Sequence, residues 1–340
     1  MLDLETVPDA AVAVEQGRRA SDLHFEDRAL LSLAALLQQA GYRFTCVTPE
    51  THARVVARRN ASDARDLRDI FGWSLPFNAA SVPAEVVDLL RQACALSSDG
   101  SRLRSLIRYS TLERMLLVHS AWPTVSDDTV FFGPDTYRFV SLIKNALRAT
   151  PSRAPRVVVD LGCGSGAGGI VAVQSLNADE RTQVLFTDVN AQALRYAKVN
   201  ATHAGIAGFR CMHSDVLNAV PSPIDLIVAN PPYLLDAQQR AYRHGGGALG
   251  TGLSLRIVEQ AMQRLAPGGQ LILYTASPIV DGVDTLRLQL TPLIEAAAAR
   301  RAVTYQYREI DPDVFGSELD QRAYARVERI AAVGLTMQVM

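Results

Sequence analysis

The chain has 340 residues, 48% apolar and 20% charged, with 34 basic residues against 35 acidic ones. That length suggests two domains, and that balance excludes wholesale disorder. A net charge of −1 argues against a nucleic-acid binder that relies on a broad basic surface, while leaving room for a local basic groove.

All basic residues except Lys144 and Lys198 are Arg, which reads as coding bias rather than selection for guanidinium chemistry. Cys46, Cys94, Cys163 and Cys211 form neither a CxxC pair nor a zinc spacing, so reduced thiols and no metal are expected. The first residues lack the basic and apolar regions of a secretory signal. Apolar runs such as 29–37 fall short of the roughly 18–20 residues that a membrane span needs. A cytoplasmic location with no membrane partner is the expectation.

In chain order, a loosely packed start of about 20 residues precedes helices at 26–40, 48–60, 62–70 and 84–96. Gly41 reads as a C-cap, and Thr48-Pro49 as an N-cap followed by Pro. Residues 102–109 and 112–120 read as a hairpin joined by a Ser-Thr turn, its Arg102, Arg104, Arg108 and Arg114 on a solvated face. Residues 1–128 therefore read as an accessory, substrate-recognition domain, helical with a hairpin and winged-helix-like. It holds 14 Arg against 17 acidic residues.

From 129 to 340 apolar strands alternate with helices. Strands are expected at 156–162, 183–189, 209–215, 224–230, 270–276, 302–309 and 323–335. Helices are expected at 168–178, 191–204, 252–265 and 283–299, with a turn at Ala266-Pro267-Gly268-Gly269. This alternation implies a parallel sheet covered on both faces, an α/β fold.

Asp160-Leu161-Gly162-Cys163-Gly164-Ser165-Gly166 joins a strand to a helix, where glycines permit a tight turn and close approach to a ligand. Gly164, Gly166 and Gly169 also satisfy the dinucleotide fingerprint, so a nicotinamide or flavin site competes. Asp160 decides against it: a carboxylate there repels pyrophosphate but attracts an ammonium group. Asp188 ends the next strand, where it can accept from both ribose hydroxyls. Asp215 ends the third, where it can accept from an adenine amino group. The fourth strand ends in Asn230-Pro231-Pro232-Tyr233. There the Asn230 side-chain oxygen and the Pro231 carbonyl can each accept one N–H of a planar NH2 group, and Tyr233 can stack on its plane.

These motifs, over roughly 200 residues, resemble the class I S-adenosylmethionine-dependent methyltransferases. The resemblance implies a Rossmann-like domain with a mainly parallel seven-stranded sheet. It implies S-adenosylmethionine held by Asp160, Gly162, Cys163, Gly164, Gly166, Asp188, Val189, Asp215, Val216 and Asn230. Asn230, Pro231, Pro232 and Tyr233 are then catalytic. In that family the Asn-Pro-Pro-Tyr turn marks amino-group methyltransferases, acting on the glutamine amide of release factors or on adenine N6 and guanine N2. Two further stretches are similar to the release-factor glutamine methyltransferases. Phe132-Gly133-Pro134-Asp135-Thr136 implies Asp135 and Thr136 beside the cofactor, with Gly133 where those enzymes usually carry Arg. Gly247–Leu253 is similar to their flexible Gly-rich segment.

The expected activity is N-methyl transfer to a protein glutamine amide or an RNA nucleobase. A small metabolite comes third, ahead of a nicotinamide oxidoreductase or a non-catalytic binding module. Phe315, Glu318, Tyr242 and His244 are candidates to line the substrate mouth. His119, Trp73 and Trp122 read as packing residues, and His203 and His213 lack partners at metal-ligand spacing.

Overall fold

The computed structural model describes residues 15–17, 23–59, 63–149, 155–176, 181–236, 243–299 and 301–340. The first segment holds a three-residue strand, β1 (Glu15–Gly17). The rest of the expected loose start lies outside the described residues, as does Tyr242.

Helices α1 (Phe25–Gln39), α2 (Pro49–Ala57), α3 (Leu67–Phe71) and α4 (Ala84–Gln92) follow. On α1, Leu30, Leu33 and Leu37 repeat at helical spacing and are all buried. Thr48 caps α2 by accepting from the Thr51 N–H. The helix expected from 62 is shorter, because Asp66 caps it and accepts from the Asp69 N–H, so the first turn begins there.

The hairpin reading needs correction. Leu96, expected to end a helix, instead begins strand β2 (Leu96–Asp99), which pairs with β3 (Arg102–Ser105). A second hairpin pairs β4 (Ile107–Leu112) with β5 (Met115–Ser120), turning at Glu113-Arg114 rather than at Ser-Thr. Register places Ser110 and Thr111 inside β4, and Glu113 carries the positive φ of 55° that the turn requires. Arg108 is not on a solvated face. It is 4% exposed, contacts Cys46 Sγ and lies over the Phe44 ring at 5.6 Å.

The chain continues with α5 (Pro134–Ala149), β6 (Val157–Leu161), α6 (Ala167–Ser175), β7 (Gln183–Asp188), α7 (Ala191–His203), β8 (Phe209–His213) and β9 (Ile224–Ala229). It continues through α8 (Gly252–Arg264), β10 (Leu265–Val280), β11 (Val283–Asp284), α9 (Thr285–Ala298), β12 (Val303–Asp311) and β13 (Val327–Val339). The sheet order is β1-β8-β7-β6-β9-β10-β13-β12, with β11 paired to β10. The pairs among β8, β7, β6, β9 and β10 are parallel, and β13 is antiparallel to both neighbours. This is an α/β fold with a mainly parallel sheet, as expected, extended by β1 at one edge. The Ala266–Gly269 turn is absorbed into β10 as an irregularity in its register with β9.

Strand alternation sorts the core onto two faces. Val159, Leu161, Ile227, Leu271 and Leu273 pack with Ile257 of α8 and Leu290 of α9. Val158, Leu226, Val228, Ile272 and Tyr274 pack with Phe139 and Ile143 of α5 and Ala172 of α6. A further cluster runs without a break from Leu30, Leu33 and Leu37 through Leu117 and Val118 to Ile170 of α6 and Ala197 of α7. Polar contacts cross the same seam. The Asn200 side chain bonds the N–H and C=O of Val118, at 2.8 and 3.0 Å, and Arg195 Nε donates to Asp27 at 2.6 Å.

Candidate active site

Strand β6 lies between β7 and β9, so the direction of chain progression across the sheet reverses at it. Ligands in open α/β sheets bind at the carboxyl strand ends beside such a reversal. A cavity of about 320 Å³ opens there. It takes in the turns after β6, β7, β8 and β9.

The turn after β6 is shaped by glycine. Gly162 and Gly164 have φ of 63° and 51°, and a Cβ at either would meet nothing closer than Val130 Cγ1 at 4.0 Å. They border the cavity, so side chains there would fill it. Gly166, grouped with them from sequence, does not line the cavity. It precedes the first turn of α6 with φ of 78°, and a Cβ would lie 3.2 Å from Ala197 and Phe186. Its role is packing between α6, α7 and the sheet. Gly169 is similar, since a Cβ there would lie 2.7 Å from Phe186.

Two carboxyl groups secure this turn. Asp160 is 2% exposed and accepts from the Gly169 N–H at 2.8 Å. Burial pushes its pKa up to about 8; the Gly169 bond opposes this and the nearby Asp188 charge adds to it. Asp188 accepts from the N–H groups of Gly164 at 3.0 Å and Asn190 at 2.9 Å, one on each oxygen. Burial raises the Asp188 pKa as well. Cys163 is buried, Val189 is exposed at the rim, and Val216 is buried with a φ of 51°. Asp215 is exposed and pairs with Arg256 at 2.7 Å.

Asn230, Pro231, Pro232 and Tyr233 follow β9 and line the same cavity. Tyr233 is 8% exposed, its ring 5.8 Å from Phe315 and 6.4 Å from Tyr274. Behind the turn lies the Gly-rich segment, packed closely rather than open. A Cβ on Gly250 would overlap the Tyr233 carbonyl oxygen, and one on Gly245 would lie 2.8 Å from the Pro232 oxygen. Asp135 and Thr136, in the first turn of α5, also reach the cavity and are buried. Gly133 has a local reason, since a Cβ there would lie 2.7 Å from the Phe131 ring, which lines the cavity.

The structure therefore brings the expected cofactor and catalytic residues, all but Gly166, to one cavity. It adds residues that sequence reasoning missed: Pro49, Glu50, Thr124, Thr129, Val130, Phe131 and Arg243. The Thr48-Pro49-Glu50 signal was legible only as a helix start. Phe315 and Glu318 line the cavity too. Glu318 is buried and pairs with Arg243. Ser317 donates to Glu50 at 3.0 Å, joining the α2 terminus to the segment after β12. His244 is absent from the lining and accepts from the Asp236 N–H at 3.2 Å. His119 is buried, bonded to Ser110 at 2.7 Å and stacked on Phe132. Trp73 packs edge-on against Phe44, and Trp122 packs against His52.

The lining is electrostatically one-sided. Among the described residues Glu50, Asp135, Asp160, Asp188, Asp215 and Glu318 face Arg243 as the sole Arg or Lys. Arg243 is already paired. Among those residues no group of three His, Cys, Asp or Glu could hold a metal, and no helix is long and apolar enough to cross a membrane.

Residues 141–281, which carry all four of these strand-end turns, match the family described as the methyltransferase small domain. A release factor glutamine methyltransferase of Bordetella pertussis is 36% identical over 164 residues, which are 44% of this chain and 57% of that one. One of Bradyrhizobium diazoefficiens is 28% identical over 236 residues, 65% of this chain and 78% of that one. A ribosomal RNA small subunit methyltransferase C of Haemophilus influenzae is 29% identical over 153 residues, 44% of this chain and 42% of that one. The chain thus spans about half the length of the first and third of these curated relatives. It is similar to methyltransferases over residues 141–281 and over the stretches shared with these relatives.

Proposed function

We propose that the chain transfers a methyl group from S-adenosylmethionine to a planar NH2 group, and that the acceptor is a glutamine side-chain amide of a protein. One observation carries the reaction: a glycine turn backed by buried acids and the Asn230–Tyr233 turn border one cavity with six carboxyl groups against one arginine.

The residues fit the cofactor. The empty space beside Gly162 and Gly164 would be filled by any Cβ, and Asp160 is a buried carboxyl whose charge the free protein disfavours. An ammonium ion answers that charge. Asp188, held rigid by two backbone N–H bonds, keeps lone pairs for ribose hydroxyls, and Asp215 is placed at the rim for an adenine amino group. A pyrophosphate would meet the same acids at an unfavourable sign, which argues against a nicotinamide dinucleotide.

Bound S-adenosylmethionine supplies an electrophilic methyl group on a cationic sulfur. The chain supplies orientation. The Asn230 side-chain oxygen and the Pro231 carbonyl each accept one N–H of the acceptor, which draws the nitrogen lone pair out of conjugation. Tyr233 limits the plane of the acceptor. The N–CH3 bond forms as the S–CH3 bond breaks, and the nitrogen then gives up a proton to water. Positioning and electrostatics carry the catalysis.

The release factor glutamine methyltransferases among the relatives favour a glutamine amide over an RNA nucleobase amino group. The rRNA methyltransferase relative keeps the second reading in view. A fractionated cell extract incubated with the enzyme and methyl-labelled S-adenosylmethionine separates them. Label in protein, lost on mild proteolysis and retained through ribonuclease, is expected. Label in RNA selects the second reading, and label in neither contradicts both.

A further inference from the structure

The Asp135 carboxyl is 5% exposed and sits where four elements meet. It accepts from the Tyr274 hydroxyl at 2.6 Å, and Arg138 Nη1 lies 3.4 Å from the same oxygen. Arg138 continues to Asp311, at the end of β12, at 2.7 Å. The Tyr233 ring lies edge-on to the Tyr274 ring, with centroids 6.4 Å apart. Tyr274 is fully buried and is no part of the cavity lining. Its neighbour Leu273 pairs with Ala229, so Tyr274 stands abreast of Asn230 across the parallel strands. Phe315 closes the other side of the Tyr233 ring.

We propose that Asp135 is a positioning residue, holding the Asn230–Tyr233 turn in the conformation that receives the acceptor through Tyr274, whose hydroxyl it binds and whose ring lies against Tyr233. This rests on the methyl-transfer reading above. A buried acid that accepts from a buried hydroxyl and shares an ion pair has lone pairs committed to the protein. The ring of Tyr233 contacts both Tyr274 and Phe315, so fixing Tyr274 limits where that ring and the backbone of residues 230–233 can lie. Resemblance alone would assign Asp135 to the cofactor; its hydrogen bonds run instead to Tyr274 and Arg138.

Tyr274→Phe is the cleanest probe, because it deletes one hydroxyl from a buried side chain that does not line the cavity. In full-length protein the expected result is a fall in kcat of about tenfold, as for a lost buried hydrogen bond. Affinity for S-adenosylhomocysteine stays within about twofold of wild type on that same reasoning. Amide hydrogen exchange at Leu234 and Leu235, whose N–H groups bond Arg243 O and Tyr324 Oη, speeds up. Asp135→Asn gives the same pattern, and the double variant is no worse than Asp135→Asn alone, because both act through one contact. Loss of S-adenosylhomocysteine affinity in Asp135→Asn with unchanged exchange in both variants would overturn the proposal in favour of a cofactor ligand. Unchanged exchange and unchanged kcat in Tyr274→Phe would also overturn it. If the wild type transfers no methyl group, the functional reading falls, while the exchange measurement still decides this one.

Discussion

Asp160 accepts a backbone N–H, but no cation pairs with it among the described residues. Its pKa of about 8, against an ordinary 3.8, means that the folded protein holds a proton there that the unfolded chain has lost. The free protein therefore loses stability as pH rises between those values. A ligand ammonium reverses the preference and expels the proton. Calorimetric titration with S-adenosylhomocysteine at pH 7, in two buffers of different ionisation enthalpy, should give apparent enthalpies that differ by about one proton released. Asp160→Asn should abolish that difference, and equal enthalpies for the wild type would contradict the assignment. Asp188→Ala removes two charge-assisted hydrogen bonds that fix the glycine turn. Affinity for S-adenosylhomocysteine should drop by about a hundredfold in the same titration.

The element that shapes the acceptor turn is the Gly-rich segment before α8. Its glycines permit close backbone approach: Gly250, at φ of 88°, lies against the Tyr233 carbonyl. Gly250→Ala should destabilise the fold by about 1–3 kcal/mol and lower methyl transfer, since both the positive φ and the contact oppose a side chain. Chemical denaturation compared with Gly246→Ala tests this, because a Cβ at Gly246 would meet nothing within 4 Å, although its φ of 67° still carries backbone strain. Equal destabilisation by the two would remove the contact from the argument. The strands and helices around the site were readable from sequence, because β6, β7 and β9 are short apolar runs and their ends carry unusual residues. The tight packing of 245–252 was not. A run of glycines has the same composition whether it is open or pressed against another backbone. The first hairpin was missed for a related reason: Leu96 serves helix and strand periods equally, and only cross-strand pairing separates them.

At the scale of the whole molecule, the part before residue 129 shares its core with the catalytic part. Leu33, Leu117 and Ala197 belong to one cluster, and Asn200 bonds the backbone of Val118. We read residues 1–128 as the accessory region and 129–340 as the methyltransferase region, joined through that seam. Leu33→Ala should cost about 2–5 kcal/mol and shift a single unfolding transition, followed by fluorescence and by circular dichroism. Two separated transitions would show independent units. Pro49, Glu50 and Thr124 reach the cavity by this docking, which no local pattern announces. The central claim is that the Asn230–Tyr233 turn orients an acceptor nitrogen for methylation. Its most direct test is methyl transfer from labelled S-adenosylmethionine by wild type and Asn230→Ala, both saturated with cofactor. The account predicts that transfer by the variant falls by about 10²–10³-fold, with cofactor affinity retained. Transfer at the wild-type rate by Asn230→Ala would contradict it.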